Sequence, residues 1–545
     1  VKRPDKIVGV NPRLPLLRLR QLAGEHKLFS WALAAGALLR LLTILGYPGA
    51  LWFAGDSYVY VGAALRPQPN LSKSTGYSFF LRLLLPFHSF TLVTIVQHLM
   101  GLAIAVMIYV LLRRNGVSKT WATIATLPQL LDGYIIEDEH LIMAETVFTF
   151  LLMIATLLLL WRPRAKWWTA AVAGLLIGAA AVVRTEGEVM LAVIPLFLLV
   201  RGWSWKTVRG WGMAVVCAVA MLIPVGAYAS WFHEHNPTSK PYDMTMSMGY
   251  YLWGRVSSFA NCAVIKPTGQ QAVVCPTQPI ADRTPPGNYI WHAPYVHKDI
   301  NSIGGPVSTK GNSLLTSFAI HAVEAQPLDY IETVVKDVGL SFGFPRIAYP
   351  GSGTTYYYSF HEHYVGTDPG TGKPISLLPP NNPDHEWIAG GTAYQDWLSY
   401  GHQAPGVVHK IFAAPIAIYQ RLVFTYGPLL AVIFLLGLGG VLSVTASGRR
   451  GRGLRSLASW PAVRSLRLHW RPRGTSMLPW VTAVALLVAP IAVADFDYRY
   501  LIPVIPFAAM AAGLSFAPRR TAPKPDPAPA GAPASVESTV PDQVA

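Results

Sequence analysis

Charge is what this 545-residue chain has least of: Asp, Glu, Lys and Arg together make up 13% of it, about half the usual share of a globular protein. A soluble surface cannot be built from so little charge, and disorder throughout or a coiled coil is excluded on the same ground. No glycine-rich nucleotide-binding fingerprint is present, so no nucleotide is expected as a direct donor or cofactor. No internal repeat is visible, and the halves show no inverted symmetry of helix lengths, which weighs against a transporter built from such repeats. What remains is apolar: 52% of residues are hydrophobic and mean hydropathy is +0.35.

Apolar runs near the length that crosses a hydrocarbon core, about 20 helical residues, recur along the chain. They predict helices near 28–47, 91–112, 118–132, 143–161, 167–184, 187–200, 212–232, 426–446, 478–494 and 499–517. The runs at 118–132 and 187–200 are short enough to be buried or re-entrant segments instead. The fold class expected is an all-α polytopic membrane bundle of about ten helices, with an outer mixed domain between the seventh and eighth.

The formal charge is +16, which in a soluble protein would raise the question of nucleic acid. Its distribution answers it. The N-terminus, alternate helix junctions, the loop 447–476 and the tail hold 27 basic and five acidic residues, a formal +22, against 17 basic and 23 acidic, −6, over the rest. Lys and Arg are retained on the cytoplasmic side, so both termini are expected to be cytoplasmic and no nucleic acid is expected. The domains then read as a basic N-terminus 1–27, a membrane core 28–232, an extracytoplasmic domain 233–410, closing helices 411–517 and a disordered tail 518–545. The first apolar run lacks a cleavage site and reads as a retained signal anchor. Arg outnumbers Lys, which with the topology suggests a bacterial plasma membrane, multi-pass.

The outer segment is rich in Gly, Pro and aromatics, with helical periodicity over 313–342 broken at Pro327. Cys262 and Cys275, thirteen apart on an oxidising face, read as a disulfide or as two buried thiols. Cys217 lies in an apolar helix and reads as packing. His361 and His363 share a strand face but lack further ligands at a recognisable spacing, so no metal is expected.

Ionisable residues beside membrane helices are the first candidates for function. Asp56 follows the first helix, in Gly55-Asp56-Ser57-Tyr58-Val59-Tyr60. Glu137, Asp138, Glu139 and His140 fill a short turn, with Glu145 beyond. Arg184, Glu186 and Glu188 mark another turn, and Asp495, Asp497 and Arg499 a third. All four groups fall at one level, the outer rim. Each has a plainer reading: Asp56 as a helix cap, 137–140 as a solvated hairpin, Arg184 with its glutamates as an interfacial ion pair, Arg499 as a snorkelling side chain. Most Tyr and Trp residues read as an interfacial belt, the run Tyr356-Tyr357-Tyr358 also as a substrate contact.

Three stretches resemble the GT-C superfamily of polytopic glycosyltransferases, which includes protein O-mannosyltransferases and lipid A aminoarabinose transferases. Asp56-Ser57-Tyr58-Val59-Tyr60 is similar to its Asp-Glu-x-x-Tyr element. Ala144-Glu145-Thr146 opens a helix paired with Gly174-Leu175-Leu176-Ile177-Gly178 through Arg184-Thr185-Glu186-Gly187, similar to its Gly-rich helix ending in Arg-x-Glu-Gly. Asp497-Tyr498-Arg499-Tyr500-Leu501-Ile502-Pro503 is similar to its closing element. The resemblance spans 28–232 and 478–517 and not the outer domain. Ser57 stands where many relatives carry Glu, leaving Asp56 the one carboxylate of that element, so a second would have to come from 137–139.

The resemblance implies a polyprenyl-phosphate sugar as donor, an extracytoplasmic acceptor hydroxyl on protein, lipid or polysaccharide, and inversion by single displacement. Such transfer needs a base for the acceptor hydroxyl, assigned to Asp56, and cations for the departing phosphate, assigned to Arg499 and secondarily Arg184. Asp138, Glu139, His140 and Glu186 are candidate orienting residues, and Tyr58, Tyr60 and Tyr498 candidate lining. The competing classes are a transporter or flippase of a lipid-linked substrate, and a membrane receptor using its outer domain.

Overall fold

The last helix, Leu501–Ser515, is buried on every side from Leu501 to Leu514, as expected of a helix that is apolar all round. It packs against Gly427–Val441, Gly474–Val493, Phe90–Arg114 and Glu145–Leu160, so it is the axis of the bundle, with Arg499 at its head. The structure is a computed structural model. It describes residues 24–53, 55–162, 166–200, 206–292, 301, 305–367, 372–378, 386–388, 390–402, 406–442 and 474–518. Residues 1–23, 443–473 and 519–545, which carry most of the basic residues behind the predicted orientation, lie outside these.

Helices stand at all ten apolar runs, that at 118–132 in pieces. Among the described residues four are long and apolar enough to cross a membrane: Lys27–Gly46, Phe90–Arg114, Val208–His235 and Gly474–Val493. A fifth is the pair Lys410–Leu422 and Gly427–Val441, bent by 60°. The remaining helices at the predicted runs are shorter, so ten full spans are not what length and composition give. Apolar side chains face outward along these helices, with Val208, Trp211, Val215, Val219, Leu222 and Ile223 all more than half exposed. Such a stripe has no place in water and suits lipid.

Local chemistry sets the helix ends. Ser89 caps Phe90–Arg114 by accepting from the Leu92 amide, and Arg113 and Arg114 lie in its last turn, where cations suit the dipole. Thr207 caps Val208–His235 through the Gly210 amide. The run 118–132, expected as one helix, is instead broken into Lys119–Ile124, Leu127–Leu131 and Gly133–Asp138. Pro128 starts the second piece, and the Asp132 side chain caps the third by accepting from the Tyr134 and Ile135 amides. Both residues favour a new helix start over continuation.

Trp167–Val183 and Val208–His235 form the most extensive helix pair. Gly174 and Gly178 face it, and a Cβ at either would strike the carbonyl oxygen of Cys217 or Met221. Small residues four apart let two backbones approach where no hydrophobic effect drives them together.

The outer segment has its own core. Met248–Ser257 packs on Thr309–Ala325 through Tyr250, Trp253, Val256, Leu315, Phe318 and Ala322. Cys262 and Cys275 are joined by a disulfide on this core, while Cys217 is buried and free in its helix. The predicted break at Pro327 separates Thr309–Ala325 from Pro327–Leu340. Two short antiparallel hairpins follow, Val365–Thr367 with Pro374–Ser376, and Glu386–Ile388 with Gly391–Thr392. The segment is tied back to the bundle. Arg255, fully buried, bonds Asp337 at 2.5 Å and lies 3.7 Å from Asp495, and the Tyr47 hydroxyl donates to the His361 carbonyl.

Candidate active site

Asp56 opens the helix Asp56–Leu65 directly after Gly55, whose φ of 80° is the left-handed backbone that glycine tolerates. Next to it, Ser57 is buried. Its hydroxyl donates to the Ile142 carbonyl at 2.9 Å and accepts from the Phe53 amide. Ser57 is thus a clip holding the turn at Asp56 to Ile142, next to the strand-like contact between Leu51 and Leu141.

The Asp56 carboxylate sits between two cations. One oxygen accepts from the Lys73 ammonium, the other from the Arg499 guanidinium at 2.8 Å. All three side chains keep 16–22% of their surface exposed, so the group is enclosed yet reachable. Burial pushes the Asp56 carboxyl up, but Lys73 and Arg499 outweigh it and hold it at about 2.

Lys73 was not evident in the sequence, where it reads as one lysine in a polar loop. Two devices deliver it. Asn70 accepts from the Ser72 and Lys73 amides, an Asx turn that curls the loop. The outer domain then pins that loop: the Met246 amide donates to the Leu71 carbonyl at 2.7 Å and the Ser247 hydroxyl to the Ser72 carbonyl at 2.6 Å.

Arg499 also pairs with Asp497 at 3.3 Å, and its guanidinium lies over the Phe53 and Tyr500 rings. Burial pushes the Asp497 carboxyl up despite that neighbour. Beside this group stands a second. Arg184 bonds Glu186 through two nitrogens, at 2.6 and 3.1 Å, and pairs with the buried Glu145. The Glu186 carboxyl is pushed up by burial and pulled down further by Arg184 and Arg499. Each arginine is thus paired with two carboxylates, but Arg184 keeps only 8% of its side chain exposed, whereas Arg499 keeps 20% and lies at the open side.

The tetrad 137–140 is the largest departure from expectation. It is not a solvated hairpin, since all four residues are buried and bonded to groups elsewhere in the chain. Glu137 accepts from Gln420 of the bent pair, and Asp138 from the Thr146 hydroxyl at 2.9 Å. Glu139 turns into the bundle, bonded twice by Arg40 and once by His98, and His140 bridges His98 and the Tyr47 carbonyl. Glu139 and His140, expected beside the substrate, are bonded instead into the bundle, just past the end of the short helix Gly133–Asp138. Asp138 remains near the site, with one buried oxygen lacking a hydrogen bond and the charges of Glu145 and Arg184 beside it.

The aromatic candidates divide similarly. Tyr58 is buried against Trp52. Tyr60 is buried edge-on to Tyr77, in the field of Asp56, Arg184 and Glu145. The Tyr498 hydroxyl accepts from the Ile347 amide and its ring lies against the Arg346 guanidinium, so it anchors the outer segment. Tyr358, in contrast, stacks on Phe53 and brings a buried hydroxyl without a hydrogen-bond partner toward Arg499. Among the described residues no group of three or more His, Cys, Asp or Glu side chains is placed to hold a metal ion. His361 stacks on Tyr356 instead.

No protein-family model and no curated protein matches the chain. Among solved structures it is similar in part to the Saccharomyces cerevisiae protein O-mannosyltransferase Pmt1-Pmt2 complex bound to the sugar donor. Identity is 13%, the TM-score is 0.32, and the match covers 44% of this chain and 36% of that one. The chain thus matches little more than a third of that protein's length.

Proposed function

We propose that this chain is an integral-membrane glycosyltransferase that moves a sugar from a polyprenyl-phosphate donor to an extracytoplasmic acceptor hydroxyl, with inversion. Asp56 is the general base. The observation that carries the reading is the placement of one partly exposed carboxylate between Lys73 and Arg499, at the head of the bundle's central helix.

In the resting site the two cations hold Asp56 as a weak base. A donor phosphate competes for the same cations with charge-assisted hydrogen bonds. As they turn to it, Asp56 loses the partners that depress its pKa and becomes basic enough to act. The acceptor oxygen then attacks the anomeric carbon, and its proton passes to Asp56. The bond from that carbon to the phosphate oxygen breaks, and the electron pair leaves with the phosphate, held by Lys73 and Arg499. Glycoside and polyprenyl phosphate are the products. Arg184, already satisfied by Glu145 and Glu186, positions the wall of the site, and Asp138, Glu186 and Tyr358 face the sugar or acceptor. The membrane is a bacterial plasma membrane with both termini cytoplasmic, which opens the site to the outer leaflet.

Vesicles carrying the protein, supplied with a labelled polyprenyl-phosphate sugar and envelope acceptors, test the reaction class. A new glycosidic product made on the outer-domain side is expected. Translocation of the intact labelled lipid with no such product would instead favour a flippase.

A further inference from the structure

The outer domain contains a concave site away from Asp56. A cleft of about 520 Å³ lies between Thr309–Ala325 and the loop at 240–246, within the range of small-ligand sites. Its floor is one face of the helix: Thr309, Asn312, Ser313, Thr316, Ser317 and His321 recur at three- and four-residue spacing. The opposite face, with Leu315, Phe318, Ala319 and Ala322, fills the domain core. A polar helix face is ordinarily just solvated. This one is roofed by a second wall, and its side chains are held ready. Gln271 donates to Ser317 at 2.7 Å and contacts His321 at 3.1 Å, and Thr309 donates to Thr238 at 2.8 Å.

The chemistry of the lining selects the ligand. Hydroxyls and amides dominate, supplying donors and acceptors together. Lys240 is opposed by Asp243 and Glu324, so the cleft is not a phosphate site, and the apolar contribution is confined to Ile320 and Met246. Such a surface suits a neutral, polyhydroxylated chain with a small apolar face. The cleft is linked to the candidate active site through one stretch: Met246 lines it, and the Met246 amide and Ser247 hydroxyl hold the loop that delivers Lys73 to Asp56.

We infer that this cleft binds a neutral oligosaccharide segment of the acceptor and holds it beside the transfer site. The inference rests on the glycosyltransferase reading for its role, while the binding itself does not. The test uses the full chain in lipid nanodiscs, with mannotriose, galactotriose and arabinotriose as probes and a Ser/Thr-rich peptide as comparison, read by saturation-transfer NMR titration. Ser313→Trp and Glu324→Trp fill the cleft from exposed positions, with melting temperature as the control for folding. Saturable binding of at least one trisaccharide to the wild type is expected, weakened at least tenfold in both variants and unchanged in Asp56→Asn. No saturable trisaccharide binding, equal binding by the filled variants, or binding of the peptide alone would overturn the inference. Transfer surviving in Asp56→Asn while trisaccharide binding persists would count against the catalytic reading and leave the cleft assignment standing.

Discussion

Arg40, in the middle of the first membrane helix, holds Glu139 through two hydrogen bonds of 2.7 Å, and both side chains are almost wholly buried. Its third nitrogen donates to the Gly36 and Leu130 carbonyls, and His98 completes the Glu139 carboxylate. Gly101 leaves the space, since a Cβ there would overlap the carboxylate. This network fixes the segment that carries Asp138. Breaking a buried pair from one side leaves an uncompensated charge, at a cost of about 3–5 kcal/mol. Arg40→Met is therefore expected to lower the melting temperature of the protein in detergent by many degrees. Arg40→Lys, which lacks the fork, is expected to rescue only part. A melting temperature unchanged in Arg40→Met would show the pair to be dispensable.

Lys73 and Arg499 are expected to act on the leaving phosphate more than on ground-state binding. Removing one such donor costs about a hundred- to a thousandfold in kcat. Lys73→Ala and Arg499→Ala should each show that loss in kcat for transfer, with a smaller change in KM for the lipid donor. A change in KM alone would assign them to docking.

Glu188 supplies a pH dependence. Burial, and then Glu186, push its carboxyl up from 4.5 to about 7. The folded chain therefore holds this proton to higher pH than the unfolded chain does. Stability contributed by the neutral form is present below about 4.5 and is lost as pH rises through about 7. Melting temperature should fall between those limits in the wild type and fall less in Glu188→Gln. Superimposable profiles for the two proteins would contradict the assignment.

Gly178 permits a close helix contact, since a Cβ there would strike the Met221 carbonyl oxygen. Gly178→Val would force Trp167–Val183 away from Val208–His235, and Arg184 is the residue that ends the first of these helices. Poor insertion or a strongly lowered melting temperature is expected, measured by fluorescence-detected size exclusion and thermal unfolding. Wild-type behaviour would mean that the two backbones do not need to touch.

Much of the bundle was legible because apolar runs encode helices locally, and the charges at 56, 184–188 and 495–499 marked turns that the fold brings together. The failures have physical causes. Pro128 and Asp132 restart a helix inside an apolar run, which hydropathy alone averages away. The tetrad 137–140 looks solvated because its partners Arg40, His98 and Gln420 come from three distant stretches and only Thr146 is near in sequence. Arg40 was missed, although a charge within an apolar run is the usual mark of an intramembrane partner and could have found it. Lys73 carried no such mark, because its place depends on an Asx turn and on outer-domain contacts. The outer domain rests on non-local packing and was readable only in its helix pair and its two cysteines.

The central claim is that Asp56 takes the acceptor proton. Its most direct test is the initial rate of sugar transfer by Asp56→Asn against wild type, in proteoliposomes with equal amounts of inserted protein and saturating lipid donor. Asn keeps the size and a hydrogen-bonding oxygen but cannot accept the proton at neutral pH. A rate at least a hundredfold lower is expected, in line with the usual worth of a general base, about 10²–10⁴. A rate within a few fold of wild type would contradict the account.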